Sequence, residues 1–466
     1  MSFIDERKAL TREKRVSTLS HFNGALSALV DEASGTEIRQ KIRTFSQVGY
    51  DEIIYALSVL SKIKNSATVI HGSIGCAASG LYFNSDNDFD FYSTHLNERD
   101  TILGGDEKLR RAVLRAYEEV HPKVIFIVGT PVVAINNDDV NSLILELQDE
   151  LDVKIIYVYT DGFKSKTPLT GYDIVSHSLL KYIIANADEQ DGETSDYINV
   201  ISFSESKQNI LAVLDILDDL GVKYNLLPQF ADYNSIQRAR YAKASITLSA
   251  EEGAYFASQL EEVFGVPYVK TKSPVGFRAT RHFIQKLGKQ LGELERFSEY
   301  VHDNEAKLSN LFVRAHLSDK SVFIDSKIEE VVGIAELTEK LGGTVSGLSS
   351  VSIDIDNRTN LDKLSGLSPS TNFIIGNGEL FEKANLISKK EINFYIGGAY
   401  GSAFAREQGA IPVSLENTAY YGYTGLKKLV ATIKNAERFN AAGGDKLYKS
   451  SWLTKSGNWY VKQEVK

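Results

Sequence analysis

The chain has 466 residues, 52 Lys and Arg against 61 Asp and Glu, a formal net charge of −9 and a single cysteine. That length points to about three domains of roughly 150 residues, and the acidity argues against a general nucleic-acid surface. One cysteine excludes an intrachain disulfide, a Cys-rich zinc site and a four-cysteine iron–sulfur cluster held by this chain alone, and no apolar run reaches the ~18 residues that span a bilayer.

The opening segment MSFIDERKALTREKR is charged and lacks the apolar stretch of a secretory signal, which points to a cytoplasmic protein. Thr68–Ile70 reads as a strand running into a Gly-rich turn. Lys123–Val128 (KVIFIV) is a near-continuous apolar run, the pattern of a strand buried on both faces of a parallel sheet. A helix over Val140–Leu151 and a second buried strand over Val153–Val158 follow. The beat returns in Tyr197–Phe203, Ser206–Leu220, Ser245–Leu248, Glu251–Phe264 and Val266–Val269. It returns again in Val322–Ile324, Ile328–Leu341, Phe373–Ile375, Leu380–Ile387, Phe394–Ile396, Ser402–Gln408 and Leu426–Ile433. Strand–helix–strand repetition predicts βαβ units with parallel sheets.

Two breaks divide it. Asp188–Asp196 is acidic and carries Gly and Ser, as a solvated linker does, and Glu293–Asp319 is a charged, helix-like segment before a new buried strand. The expected fold is therefore α/β, with three Rossmann-like domains of parallel sheets flanked by helices. They cover residues 1–192, 193–319 and 320–466.

Several strand ends carry candidate chemistry. VIHGSIGCAASG (Val69–Gly80) joins a strand to a helix, and Gly72 and Gly75 permit a tight turn with close backbone approach. The spacing is not GxGxxG. Cys76 opens the helix, where the helix N-terminus favours a thiolate; the bland alternative is a small buried hydrophobe. His71 reads as a structural histidine. Ser85–Asp90 resembles a calcium loop, but Phe91 and Asn97 stand where Gly and Glu belong, so it reads as a solvated loop. Thr130-Pro131 ends a buried strand, and Asn136–Asp139 reads as a helix cap. Ile396–Gly401 (IGGAYG) and Gly376-Asn377-Gly378 are further strand-end turns, able to hold an anion or simply to connect.

Taken in order, these segments resemble the component 1 family of nitrogenase, which includes the nitrogenase proteins, the cofactor-assembly scaffold pair and the nitrogenase-like tetrapyrrole reductases. His71–Cys76 (HGSIGC) is similar to the family's HGxxGC cluster-ligand motif. Thr130 through Asn136–Asp139 to Asn141-Ser142-Leu143 resembles its TC…IGDD strand-end segment. Thr160–Asp173, Ile396–Pro412 and Tyr421–Gly425 resemble β-type segments. The resemblance spans roughly residues 40–435.

The resemblance implies a β-type subunit that pairs with a cysteine-bearing α-type subunit, as a heterodimer or α2β2 tetramer. It would relay electrons from an ATP-dependent iron–sulfur reductase. The alternatives are a cofactor-assembly scaffold subunit and a cluster-free binding or regulatory relative. It also implies a [4Fe-4S] cluster shared across the seam, with Cys76 as this chain's metal ligand and Gly72, Gly75, Thr130 and Ser46 around it. The family's early cysteine falls at Phe45 or Ser46, and a later ligand falls near Phe91–Ser93, where there is no thiol. Ser249 stands near the position of the family's cofactor cysteine and Asn417 near that of its cofactor histidine. By those ligands this chain holds no catalytic iron–molybdenum-type cofactor.

Overall fold

The computed structural model describes residues 18–33, 51–76, 90–162, 167–187, 195–308, 317–354, 357–368, 370–416 and 418–444, with Arg15, Ser165 and Leu311. Ser46, Phe45 and Asn417, named above, lie outside these residues, as do 85–89 of the calcium-like loop and most of the acidic linker.

The described chain opens with β1 (Phe22–Ala25) and α1 (Leu26–Ala33). The first sheet then builds from α2 (Glu52–Leu60), β2 (Ser66–His71), β3 (Asp90–Ser93), α3 (Glu98–Leu103), α4 (Asp106–Val120), β4 (Val124–Gly129), α5 (Pro131–Asn136), α6 (Val140–Glu150), β5 (Lys154–Val158) and α7 (Thr170–Leu179). Its order is β3-β2-β4-β5, all parallel. Every residue of β2 and β4 is buried. Helices cover both faces of the sheet, so the strands read as unbroken apolar runs rather than alternating ones. Capping fixes the helix starts: the Asp51 carboxylate accepts from Ile54 N at 3.0 Å, and that of Asp139 accepts from Ser142 N at 3.2 Å.

The middle unit runs through β6 (Ile198–Ser202), α8 (Lys207–Asp219), β7 (Tyr224–Pro228), α9 (Tyr233–Gln237), β8 (Ser245–Thr247), α10 (Ala250–Phe264), α11 (Gly276–Leu291) and α12 (Leu294–Leu308). Its three strands are parallel in the order β7-β6-β8. The strand expected at Val266–Val269 does not form. Only a single bridge, Ser245 to Tyr268, remains, because Pro267 has no N–H to donate to the ladder. The charged segment after Glu293 does form a helix, α12.

The third sheet follows through β9 (Ser321–Asp325), α13 (Ile328–Lys340), β10 (Thr344–Ser350), α14 (Thr359–Leu364), β11 (Asn372–Ile375), α15 (Leu380–Lys389), β12 (Phe394–Gly397), α16 (Ala399–Glu407), β13 (Ile411–Ser414) and α17 (Gly422–Phe439). The order is β1-β11-β10-β9-β12-β13. All pairs are parallel except β1 with β11, where Phe22 lies opposite Ile375 and Ala25 opposite Asn372. Residues 22–25 therefore extend the third sheet, although the sequence reading groups them with the first 192 residues. FNGA has no apolar alternation to announce this edge pairing, which rests on backbone hydrogen bonds and on Phe22 packing against the core.

The cores do not respect the sheets. One cluster joins Phe126 and Val128 of the first sheet to Ile201, Phe203 and Phe256 of the middle one. Another joins Val200 and Val213 to Ile324, Leu348 and Phe394 of the third. The middle unit is thus packed from both sides, and the three meet at the start of α10.

Candidate functional site

The first sheet delivers three strand ends to one edge. Register places Ile70 opposite Ser93 of β3 and His71 opposite Gly129 of β4, so Gly72, Thr94 and Thr130 gather where the strands stop. That C-terminal edge is where open α/β sheets bind ligands. Thr94 Oγ1 accepts from Gly72 N at 2.9 Å and lies 3.2 Å from His71 Nδ1. The Thr130 hydroxyl donates to His71 O at 2.9 Å. Being committed there, it does not cap α5, whose first residue, Pro131, has no N–H to satisfy.

His71 is fully buried, with Nε2 3.4 Å from Asp138 Oδ2. Burial pushes the imidazole down to about 4, so it is neutral near pH 7, and burial also raises the Asp138 carboxyl. Gly105, before α4, closes over the ring: a Cβ there would lie 2.7 Å from His71 Cε1. The sequence reading of a structural histidine matches this geometry.

Gly72 and Gly75 differ. A Cβ on Gly72 would sit 2.1 Å from Thr130 Oγ1, so Gly72 is required by packing within the chain. A Cβ on Gly75 would meet nothing within 4 Å, and Gly75 is exposed. Cys76 follows it on a helical turn, partly exposed, with Ser73 Oγ donating to its sulfur at 3.4 Å. The same edge carries exposed aliphatic side chains: Ile74 (61% exposed), Ile102 (81%), Leu103 (71%) and Ile135 (73%). Asn136 Nδ2 ties their helices α3 and α5 together through Thr101 O at 2.7 Å. Phe91–Ser93 lie in β3, beside β2. Among the described residues, no group of three or more His, Cys, Asp or Glu side chains is placed to hold a metal ion.

The second zone is the start of α10. Ser249, its N-cap residue, is buried, and its Oγ finds no hydrogen-bond partner among the described residues. The first amides of the helix are met instead by Glu329 of α13. Its carboxylate accepts from Glu251 N at 3.1 Å, Ala250 N at 3.4 Å and Ser273 N at 2.8 Å. Glu252, one step on, accepts from Ser204 Oγ at 2.7 Å and from Lys327 Nζ at 3.0 Å. Lys327 also donates to Glu205 at 2.8 Å. Behind Glu251, Arg15 makes a two-point contact with Asp173, at 2.8 and 3.0 Å, and donates to Glu251 O at 2.7 Å. Burial raises Glu251 to about 8 and Glu252 to about 7, against the pull of Arg15 and Lys327 respectively.

The Gly-rich turn at Ile396–Gly401 meets its needs internally. Ala399 N donates to Glu416 Oε1 at 2.8 Å, which takes the anion position at the start of α16. Tyr395 Oη packs where a Cβ on Gly401 would stand. In Asn136–Asp139 the capping expectation applies to Asp139, while Asp138 faces His71. That role, like those of Thr94, Glu329 and Lys327, left no local signature in the sequence, because each partner lies at least 22 residues away.

The sequence profile of the family described as nitrogenase component 1 type oxidoreductase matches residues 53–437. The nitrogenase iron-molybdenum cofactor biosynthesis protein NifE of Clostridium pasteurianum is 30% identical over 54% of this chain and 56% of its own length. NifE of a Nostoc species is 23% identical over 82% and 81%. The nitrogenase molybdenum-iron protein alpha chain of Methanosarcina barkeri is 26% identical over 61% and 56%. The chain spans just over half the length of the first three NifE relatives it matches, 56 to 59%. The solved structure of nitrogenase Cp1 at pH 6.5 superposes with a TM-score of 0.74 at 18% identity, over 88% of this chain and 96% of that one. It shares the fold.

Proposed function

The chain belongs to the nitrogenase component 1 type oxidoreductase family, and from that premise we propose that it is a subunit of a cofactor-assembly scaffold. In this role it contributes Cys76 to an iron–sulfur group shared with a cysteine-bearing partner. The carrying observation is the position of its one thiol: on a strand-end helical turn, partly exposed, beside an open Gly75 and an apolar rim. One ligand is what such a chain can give, and the rim suits a partner that supplies the others. When bound, a [4Fe-4S] cluster stores and passes single electrons. The chain's own residues hold the thiol, through the hydroxyl of Ser73, while buried His71, neutral near pH 7, ends the strand that leads into the turn. The scaffold reading leans on the NifE relatives.

A second reading is a β-type subunit that takes electrons from an ATP-dependent iron–sulfur reductase. It is favoured by residues 396–412 and 421–425, which resemble β-type segments. The experiment is anaerobic co-expression with a three-cysteine homologue, with iron and sulfide counted per assembly. Four irons, lost in Cys76→Ala with the assembly intact, are expected. Transfer of a cofactor precursor to an apo-reductase then selects the scaffold reading, and reduction by the reductase without transfer selects the β-type reading. An iron-free homodimer under strict anaerobiosis would leave only the cluster-free relative.

A further inference from the structure

The family resemblance places Ser249 near the position of a cofactor cysteine, at the point where the three sheets converge. The residues found there do not suit a metal cofactor. Ser249 offers a neutral hydroxyl rather than a thiolate, and the helix start beside it is already capped by Glu329. The next position outward is filled by a chain of opposite charges drawn from separate units. Glu205 follows β6, Glu252 sits on α10, and Lys327 precedes α13. Glu205 keeps 1% of its side-chain exposure and Glu252 5%, while Lys327, at 24%, closes the cluster from its outer side. Lys62, after α2, adds a cation of the first unit within electrostatic range of both glutamates, although burial lowers its own proton affinity. Arg15 clamps Asp173 of the first unit to the backbone of Glu251 in the middle one and lies 3.6 Å from Asp354 in the third.

From this we infer that the three-sheet junction of this chain is an ionic lock and not a cofactor cradle. A cofactor or precursor handled by the assembly is therefore held by the partner or at the seam near Cys76. The inference rests on the scaffold reading only for where the cofactor goes instead. The lock itself stands on Lys327, Glu205 and Glu252. Removing one member of a buried ion pair leaves the other uncompensated and is strongly destabilising, whereas neutralising all members together is far milder.

The melts use the full chain in its purified assembly, and the cofactor assay uses the full chain purified without its partner. Lys327→Met should lower the melting temperature of the chain by roughly 10 °C. The triple neutral variant Lys327→Met/Glu205→Gln/Glu252→Gln should recover at least half of that loss. If the single variant is insoluble, recovery of soluble triple variant is the expected result, and an insoluble triple variant overturns the inference. Anaerobic incubation of the separated chain with isolated iron–molybdenum cofactor, then gel filtration, should leave less than 0.1 molybdenum per chain, on the order of carry-over. Stoichiometric retention overturns the inference, as does a Lys327→Met melt within about 2 °C of the parent. If the wild-type assembly holds no iron, the Cys76 reading fails, while the melting and molybdenum results still decide the lock.

Discussion

The strand-end edge at Cys76 and the junction at Ser249 use one device, a parallel strand running into a helix, and finish in opposite states. At the first, the buried histidine is neutral, the glycine beside the thiol is open, and aliphatic side chains face outward. At the second, the helix start is capped by the Glu329 carboxylate, charges from three units crowd around it, and burial raises the proton affinity of Glu251 beside it. A strand end in this fold is thus a position rather than a function. What decides it is whether the chain's own side chains fill the anion-favouring helix start or leave it for something outside.

The contrast breaks most visibly at Arg15. Replacing Arg15 by Met removes the guanidinium paired with the buried carboxylate of Asp173. It should cost about 3–5 kcal/mol in urea unfolding. A loss below about 1 kcal/mol would mean that the junction is held by its apolar packing and not by its charges.

Acidity separates the two regions by sign. His71 falls from an ordinary 6.5 to about 4 on burial. The folded state thus binds fewer protons than the unfolded one in that window. Its contribution, on the order of 3 kcal/mol, is present above pH 6.5 and lost as pH falls toward 4. Glu251, raised from 4.5 to about 8, works the other way. Its protonated form is favoured in the fold, so its contribution is present below pH 4.5 and lost as pH rises through about 8. Arg15, Asp354 and Glu329 all face it. Unfolding free energies from pH 4 to 8 should therefore rise less steeply at the acid end in His71→Phe and fall less at the alkaline end in Glu251→Gln. Parallel curves for the parent and either variant would remove that residue from the comparison.

The smallest effects fall on the two glycines of the first region. Gly72→Ala drives a methyl into Thr130 and should cost about 1–3 kcal/mol, seen as a lower melting temperature. Gly75→Ala meets nothing within 4 Å and should change the isolated chain by less than about 0.5 kcal/mol. Its effect belongs to the assembly, where weaker subunit association in gel filtration is the expected sign. Equal melting temperatures for the two variants would erase the distinction between an internally required glycine and an open one.

Much of the fold was legible because its signals are local. The apolar runs at Lys123–Val128 and Val153–Val158 become β4 and β5, and the periodicity of Glu251–Phe264 becomes α10. The strands at Tyr224–Pro228, Thr344–Ser350 and Ile411–Ser414 carry weaker or mixed patterns. Gly347 interrupts one, where the register also shifts beside Val345, and Pro412 interrupts another. At the site, the sequence singled out the thiol and its glycines, since HGSIGC is contiguous. It could not separate Gly72 from Gly75, because the distinction lies in Thr130, 58 residues away from the first of them (130 − 72).

By itself, then, the sequence determined the βαβ beat, the single thiol and its place after a buried strand, and through them the family. These depend on neighbours along the chain, where β-branched runs and helical periods act within a few residues. Only the tertiary structure decided which strand end is open and which is locked. Lys327 and Glu205 are 122 residues apart, Arg15 and Asp173 158. A charge pair becomes a lock only where folding removes it from water, and no local pattern records which charges will meet there.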